Sequence, residues 1–212
     1  MSSFTGNDYA RWFISNSMAT ALKWWHEWLS DLTAFHQLHP LPLEQDLGVY
    51  VDASTGWGIG LLIQNQWYAF CLAPACKIPG WDICWLEAVT LELLVYFLIQ
   101  LNFMEVNLTT YSNSNGAIGA HSKGCSSNPE INLCMCHTYA ASAANLLTLS
   151  FTYIESLANP ADPVSQGIIN LPRSAWLTRD FDLPIDLAPF LIDYHVVWAW
   201  QWPYWFSIPF LE

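Results

Sequence analysis

Leu22, Trp25, Leu29, Leu32 and His36 follow one another at three- and four-residue steps, which predicts an amphipathic helix over residues 8–36. His39-Pro40-Leu41-Pro42 stops it. Beyond this point the spacing shortens. Gly48–Ala53 predicts a short buried strand, and Gly58–Gln64 and Trp67–Leu72 predict two more, joined by a turn at Asn65-Gln66; the three read as an antiparallel meander. Pro79-Gly80 marks a loop, and Asp82–Gln100 predicts a long apolar helix. A strand follows over Glu105–Tyr111, with Val106, Leu108 and Thr110 on one face. Ser114–Ser122 predicts a short helix ending at Lys123-Gly124. Asn128-Pro129-Glu130 opens another that runs to about Leu147, with proline in its first turn. Leu149–Ile154 is a fifth strand, and Asn159–Gln166 a short last helix closed by Gly167. After Asn170, prolines at 172, 184, 189, 203 and 209 break the chain into pieces expected to wrap the domain surface.

The order is therefore a helix, then β-β-β-α-β-α-α-β-α, in one domain of a 212-residue chain. Its division is 1–45 as an N-terminal helical connection, 46–170 as the folded domain and 171–212 as a tail rich in Pro and Trp. Two apolar stretches, Leu86–Leu101 and Leu187–Leu211, invite a membrane reading. Glu87 and Glu92 interrupt the first, and Asp193, His195 and three prolines break the second, so neither is read as a span. With 53% apolar residues the chain can fill a sizeable core. Thirteen Trp are too many to bury, and the cluster Trp198–Trp205 reads as packing or a former partner surface rather than a sugar platform.

Charge narrows the function classes. Six Lys+Arg against 18 Asp+Glu give a net charge of −12. Arg11, Lys23, Lys77, Lys123, Arg173 and Arg179 are scattered, so no basic patch exists to meet a phosphate backbone, and free binding to a long nucleic acid is expected to be weak. The six cysteines (71, 76, 84, 125, 134 and 136) follow no secretory signal and read as reduced, mostly buried thiols of an intracellular, cytoplasmic or nuclear protein. His121 and His137 read as surface or satisfied helix residues.

Three segments carry a carboxylate where a site could form. They are Val-Tyr-Val-Asp52-Ala-Ser-Thr-Gly, Trp-Leu-Glu87-Ala-Val-Thr-Leu-Glu and Asn-Pro-Ala-Asp162-Pro-Val-Ser. A fourth, Thr-Tyr-Ser-Asn113-Ser-Asn-Gly, has an amide where another acid is expected. If the first and fourth strands are neighbours, Asp52 and Asn113 meet at one sheet edge and two helices bring Glu87 and Asp162 over it. Three acids brought together can hold two divalent cations about 4 Å apart, an arrangement that drives in-line cleavage of a phosphodiester. Each residue also has a plainer reading. Asp52 can cap the Ser54-Thr55-Gly56 turn, Glu87 and Asp162 can compensate the helix dipole in a first turn, and Asn113 can cap the helix after it.

These blocks in this order resemble the ribonuclease H domain of reverse-transcribing mobile elements, fungal retrotransposon polyproteins in particular. The resemblance covers about residues 46 to 170. Asp52-Ala-Ser-Thr-Gly-Trp-Gly-Ile-Gly, Asp82-Ile-Cys-Trp-Leu-Glu87-Ala, Ser112-Asn113-Ser-Asn-Gly, Lys123-Gly-Cys-Ser and Asn159-Pro-Ala-Asp162-Pro-Val-Ser-Gln-Gly carry it. It implies an α/β fold with a mixed five-stranded sheet flanked by helices. It also implies hydrolysis of the RNA strand of RNA–DNA hybrids, with Asp52 bridging two Mg²⁺ (or Mn²⁺) ions, Glu87 on one and Asp162 on the other. The N-terminal helix is similar to the segment that joins such a domain to its reverse transcriptase, a candidate partner. Three positions depart from the family: Asn113 replaces the third acid, and Cys125 and Gln166 stand where arginine is usual. No Asp or Glu lies between Glu105 and Glu130 to replace the lost carboxylate. The expected function is an ancestral hybrid nuclease impaired at Asn113; the alternative is a non-catalytic mobile-element remnant serving as an interaction module.

Overall fold

The computed structural model describes residues 15–30, 41–76, 83–170, 175, 177 and 181–196, and the chain divides into two units, Met1–Pro40 and Leu41–Glu212. In the first unit helix α1 spans Asn16–Ser30. Ser15 Oγ accepts from the Met18 amide at its start, and Lys23 and Glu27 pair at 3.8 Å across one turn. The rest of the expected helix, 8–14 and 31–36, lies outside the described residues, as do the Pro79-Gly80 loop and the Trp198–Trp205 cluster.

The second unit is α/β. Its strands are β1 (Glu44–Ala53), β2 (Gly58–Ile63), β3 (Gln66–Leu72), β4 (Val106–Ser112), β5 (Leu147–Tyr153) and β6 (Leu191–Asp193), in the sheet order β5-β4-β1-β2-β3-β6. β1, β2 and β3 form the expected antiparallel meander, while β4 lies parallel to both β1 and β5. The hairpin turn sits one residue earlier than expected. Gln64 and Asn65 both take positive φ (52° and 64°), the twist that a two-residue hairpin needs, and Ile63 pairs with Gln66. The sheet has six strands where five were expected. The extra one comes from the tail, which does not merely wrap the surface: Leu191, Ile192 and Asp193 pair antiparallel with Leu72, Cys71 and Phe70.

Strand alternation assigns the two faces. Val49 and Val51, Ile59, Leu61 and Ile63, and Tyr68, Phe70 and Leu72 join the main core, where helices α2 (Ile83–Gln100), α3 (Asn115–Lys123) and α4 (Pro129–Ala144) are packed. Leu62, Trp67 and Ala69 point the other way and meet Ala161 and Val164 around α5 (Asp162–Ser165). α2 is the one helix among the described residues long and apolar enough to cross a membrane, yet it is the central core helix here, with Leu93, Leu94, Val95 and Leu98 fully enclosed. Its apolar character is explained by burial on nearly all sides. The helix ends follow the sequence signals. Gly124 closes α3 in the left-handed region (φ 69°), and Asn128 caps α4 with Pro129 at its first position. All six cysteines are thiols rather than disulfides, but only Cys76 and Cys134 are buried; Cys71 and Cys84 are half-buried, and Cys125 and Cys136 are exposed.

Candidate functional site

Parallel pairing of β1 with β4 sets Val51 against Ser112, the last residue of β4, so Asp52 near the end of β1 and Asn113 just past β4 come side by side. Tyr50 and Tyr111, one step back on the same strands, stack at 4.8 Å between ring centroids. Asp52 is 5% exposed and turned toward α5, and Gly60 is its partner on β2. The segment before α5 is tied to that strand end. The Asn159 side chain donates to the Val51 carbonyl at 3.0 Å and accepts from the Ala161 amide, which fixes where α5 begins. From α5, Ser165 Oγ donates to Asp52 Oδ2, and the Asp162 carboxylate comes close enough to repel Asp52.

Burial pushes the Asp52 carboxyl above its ordinary range, and Asp162 adds to this; hydrogen bonds from Ser165 and Asn113 work against it. Asp52 does not cap the following turn, because Ser54 Oγ accepts from Gly56 instead. Nor does Asn113 cap α3. That place falls to Ser114, whose Oγ accepts from the Ala117 amide and donates to Glu87 Oε2. Asn113 uses its amide on Ser156 Oγ, at 2.8 Å, and on Asp52. Glu87, half-buried on α2, thus reaches the strand end through the residue next to Asn113. Asp162, at the first position of α5, accepts from the Gln166 side chain at 2.8 Å. The structure therefore gathers Asp52, Asn113 and Asp162 at one point and ties Glu87 to its margin. Ser165 and Ser114, both buried, complete the arrangement. Neither carries a sequence signal, since a serine hydroxyl becomes a ligand's partner only through the fold.

A second grouping lies on the other side of the sheet, between α2, α4 and a turn in the tail. Glu92, 1% exposed in the middle of α2, accepts from or shares a proton with His137 Nδ1 on α4 at 2.8 Å, and Asp186 Oδ2 is 3.5 Å from the same nitrogen. One ligand atom from each of the three lies within 4.8 Å of the others, so these residues can hold a metal ion. Burial raises the Glu92 carboxyl, and the His137 hydrogen bond lowers it. Next to it the Cys134 thiol is pushed up to about 12 by burial and by the Glu92 carboxylate, so it stays protonated. His137 is thus more than the satisfied helix residue the sequence indicated. A carboxylate in mid-helix among enclosed apolar residues is the signal that marks Glu92; Asp186 sits in the tail, and no spacing links it to the other two.

Against family models, curated proteins and solved structures, this chain finds no match. What the site can do is therefore argued from its own chemistry. Oxygen ligands from Asp52, Glu87 and Asp162 suit a hard divalent cation such as Mg²⁺ or Mn²⁺. Their fit is incomplete: one carboxylate is replaced by the Asn113 amide, and Asp52 already takes hydrogen bonds from Ser165 and Asn113 where a cation would compete.

Proposed function

We propose that residues 46–170 form a ribonuclease H-like domain of retrotransposon origin, whose site for cutting the RNA strand of an RNA–DNA hybrid is impaired. The observation that carries this is the meeting of Asp52, Asn113 and Asp162 where the parallel strands β1 and β4 end. The strand directions agree with the reading: an antiparallel meander first, then two strands parallel to its first member. Asp52, Glu87 and Asp162 would hold the cations, which would supply charge neutralisation on the phosphate and a more acidic water. This chain's own groups orient those acids: Ser165 for Asp52, Ser114 for Glu87 and Gln166 for Asp162.

Impairment follows from the amide. Asn113 contributes no charge to cation binding, and its N–H groups stabilise Asp52 without a metal. The surroundings add repulsion rather than attraction for phosphate. Glu44 and Asp46 lie earlier on β1, hydrogen-bonded by Thr109 and Tyr111, and the chain's net charge is −12. The same observations favour a second reading, a non-catalytic module that keeps the fold and interacts with other proteins, a reverse transcriptase among them.

Incubation of the purified chain with a labelled RNA–DNA hybrid and Mn²⁺ tests the proposal. The native chain is expected to cleave slowly or not at all, Asn113→Asp to gain activity, and Asp52→Asn in that background to abolish it. A folded Asn113→Asp variant with no cleavage overturns the nuclease reading and leaves the module. Cleavage that survives Asp52→Asn overturns the site.

A further inference from the structure

Glu92, His137 and Asp186 lie apart from the proposed nuclease site, on the α2–α4 side of the sheet. Two helical rows converge there. Trp85, Val89 and Glu92 recur at steps of four and three on α2, and Glu130, Cys134 and His137 do so on α4. Between them and the turn at Asp186–Phe190 lies a cavity of about 590 Å³. All three polar groups face into it.

The three ligand atoms lie within 4.8 Å of one another, a spacing that admits a metal ion as well as a hydrogen-bonded ion pair. A tetrahedral ion with bonds of about 2.0–2.1 Å separates its ligand atoms by about 3.3–3.4 Å. His137 Nδ1 lies 2.8 Å from Glu92 Oε1 and 3.5 Å from Asp186 Oδ2, values on either side of that edge. A neutral imidazole carries at most one proton on Nδ1, so it can serve one of these carboxylates and not both. Glu92, 1% exposed, cannot turn to water, so an ion bound here would answer a buried carboxylate, with half-exposed Asp186 closing the set.

We propose that Glu92, His137 and Asp186 form a three-ligand site for a divalent transition ion of the Zn²⁺ class, with its open coordination position facing the cavity between α2 and α4. One nitrogen and two oxygens suit Zn²⁺ better than Mg²⁺, which prefers oxygen and keeps several waters. Trp85, Val89, Leu133 and Phe190 give the cavity apolar walls beside the open position. The site does not depend on nuclease activity.

Zn²⁺ titrated alone into the metal-free chain, followed by calorimetry and by thermal unfolding, provides the test. One equivalent is expected to bind and to raise the unfolding midpoint. Asp186→Asn and His137→Gln, both at partly exposed positions and so compatible with folding, should each weaken binding by about tenfold or more. Asp52→Asn and Asp162→Asn should leave it unchanged, which separates this site from the nuclease site. Absence of binding overturns the proposal. So does binding that survives both Asp186→Asn and His137→Gln, or binding that is lost instead on replacing the exposed Cys125 and Cys136 with serine.

Discussion

Gly60 tests whether the sheet really carries α5 and, with it, the acid cluster. A Cβ built at this position would lie 2.6 Å from the Ser165 amide nitrogen, 2.7 Å from the Ala161 carbonyl oxygen and 2.9 Å from Val164 Cβ. Two of these are backbone atoms that cannot rotate away, so Gly60→Ala must push the short helix off β2. Overpacking of this kind costs about 1–3 kcal/mol, and rigid neighbours place it near the top of that range. The displaced Ser165 also releases Asp52, a buried acid, and loss of a hydrogen bond to a charged group adds about 1.5–3 kcal/mol. Because the two effects share one movement they do not add fully, and a total of about 3–5 kcal/mol is expected. At about 2–4 °C per kcal/mol for a domain of this size, the thermal midpoint should fall by roughly 6–20 °C. Urea unfolding monitored by tryptophan fluorescence gives the free energy directly. Gly119→Ala is the control: its Cβ meets nothing within 4 Å inside α3, and it should stabilise by about 0.5–1 kcal/mol. A Gly60→Ala protein within about 0.5 kcal/mol of the parent would show that α5 is not seated on β2, and the grouping of Asp52 with Asp162 would go with it.

Three further outcomes follow from the electrostatics and the thiols. Burial raises the Asp52 carboxyl, so its contribution to stability is complete below the unfolded carboxylate range and is lost as pH rises through the folded value. Metal-free Asp52→Asn should then melt higher than the parent at pH 7, with the gap closing toward pH 4; a lower melting point at pH 7 would refute this. His121 is shifted the opposite way, held below the usual histidine range by burial against Tyr139 and Phe151. Its contribution is intact above the unfolded value of about 6.5 and is lost as pH falls, so His121→Phe should flatten the decline in stability between about pH 7 and 5. Titration with a thiol reagent should modify Cys125 and Cys136 rapidly, while Cys134, protonated up to about 12, and buried Cys76 should react only on unfolding.

Much of this was legible in the sequence because it rests on local signals. The alternation of Val106, Leu108 and Thr110 marks one face of β4 from sequence alone. Pro129 and Gly124 mark helix ends through their own backbone preferences. The neighbouring of Asp52 and Asn113 needed only one assumption, that the first and fourth strands pair. Other features had no local source. Leu191-Ile192-Asp193 is a strand only because β3 offers it an edge, and three residues carry no periodicity of their own. Ser165 and Ser114 matter through what they touch. Glu92 interrupts an apolar helix in sequence, and burial of a carboxylate there is itself the sign of a partner across the core.

The pairing of Leu191–Asp193 with β3 has a consequence for any shortened version of this protein. β3 is buried along almost its whole length, from Trp67 to Phe70 and at Leu72. Removing the tail would leave an apolar strand with a row of open amides and carbonyls, a template onto which another molecule's strand can add. Fragments ending before the Leu187 turn should therefore precipitate or form oligomers even though the acid cluster is intact, and a domain cut at residue 170 would be a poor reagent for any solution assay.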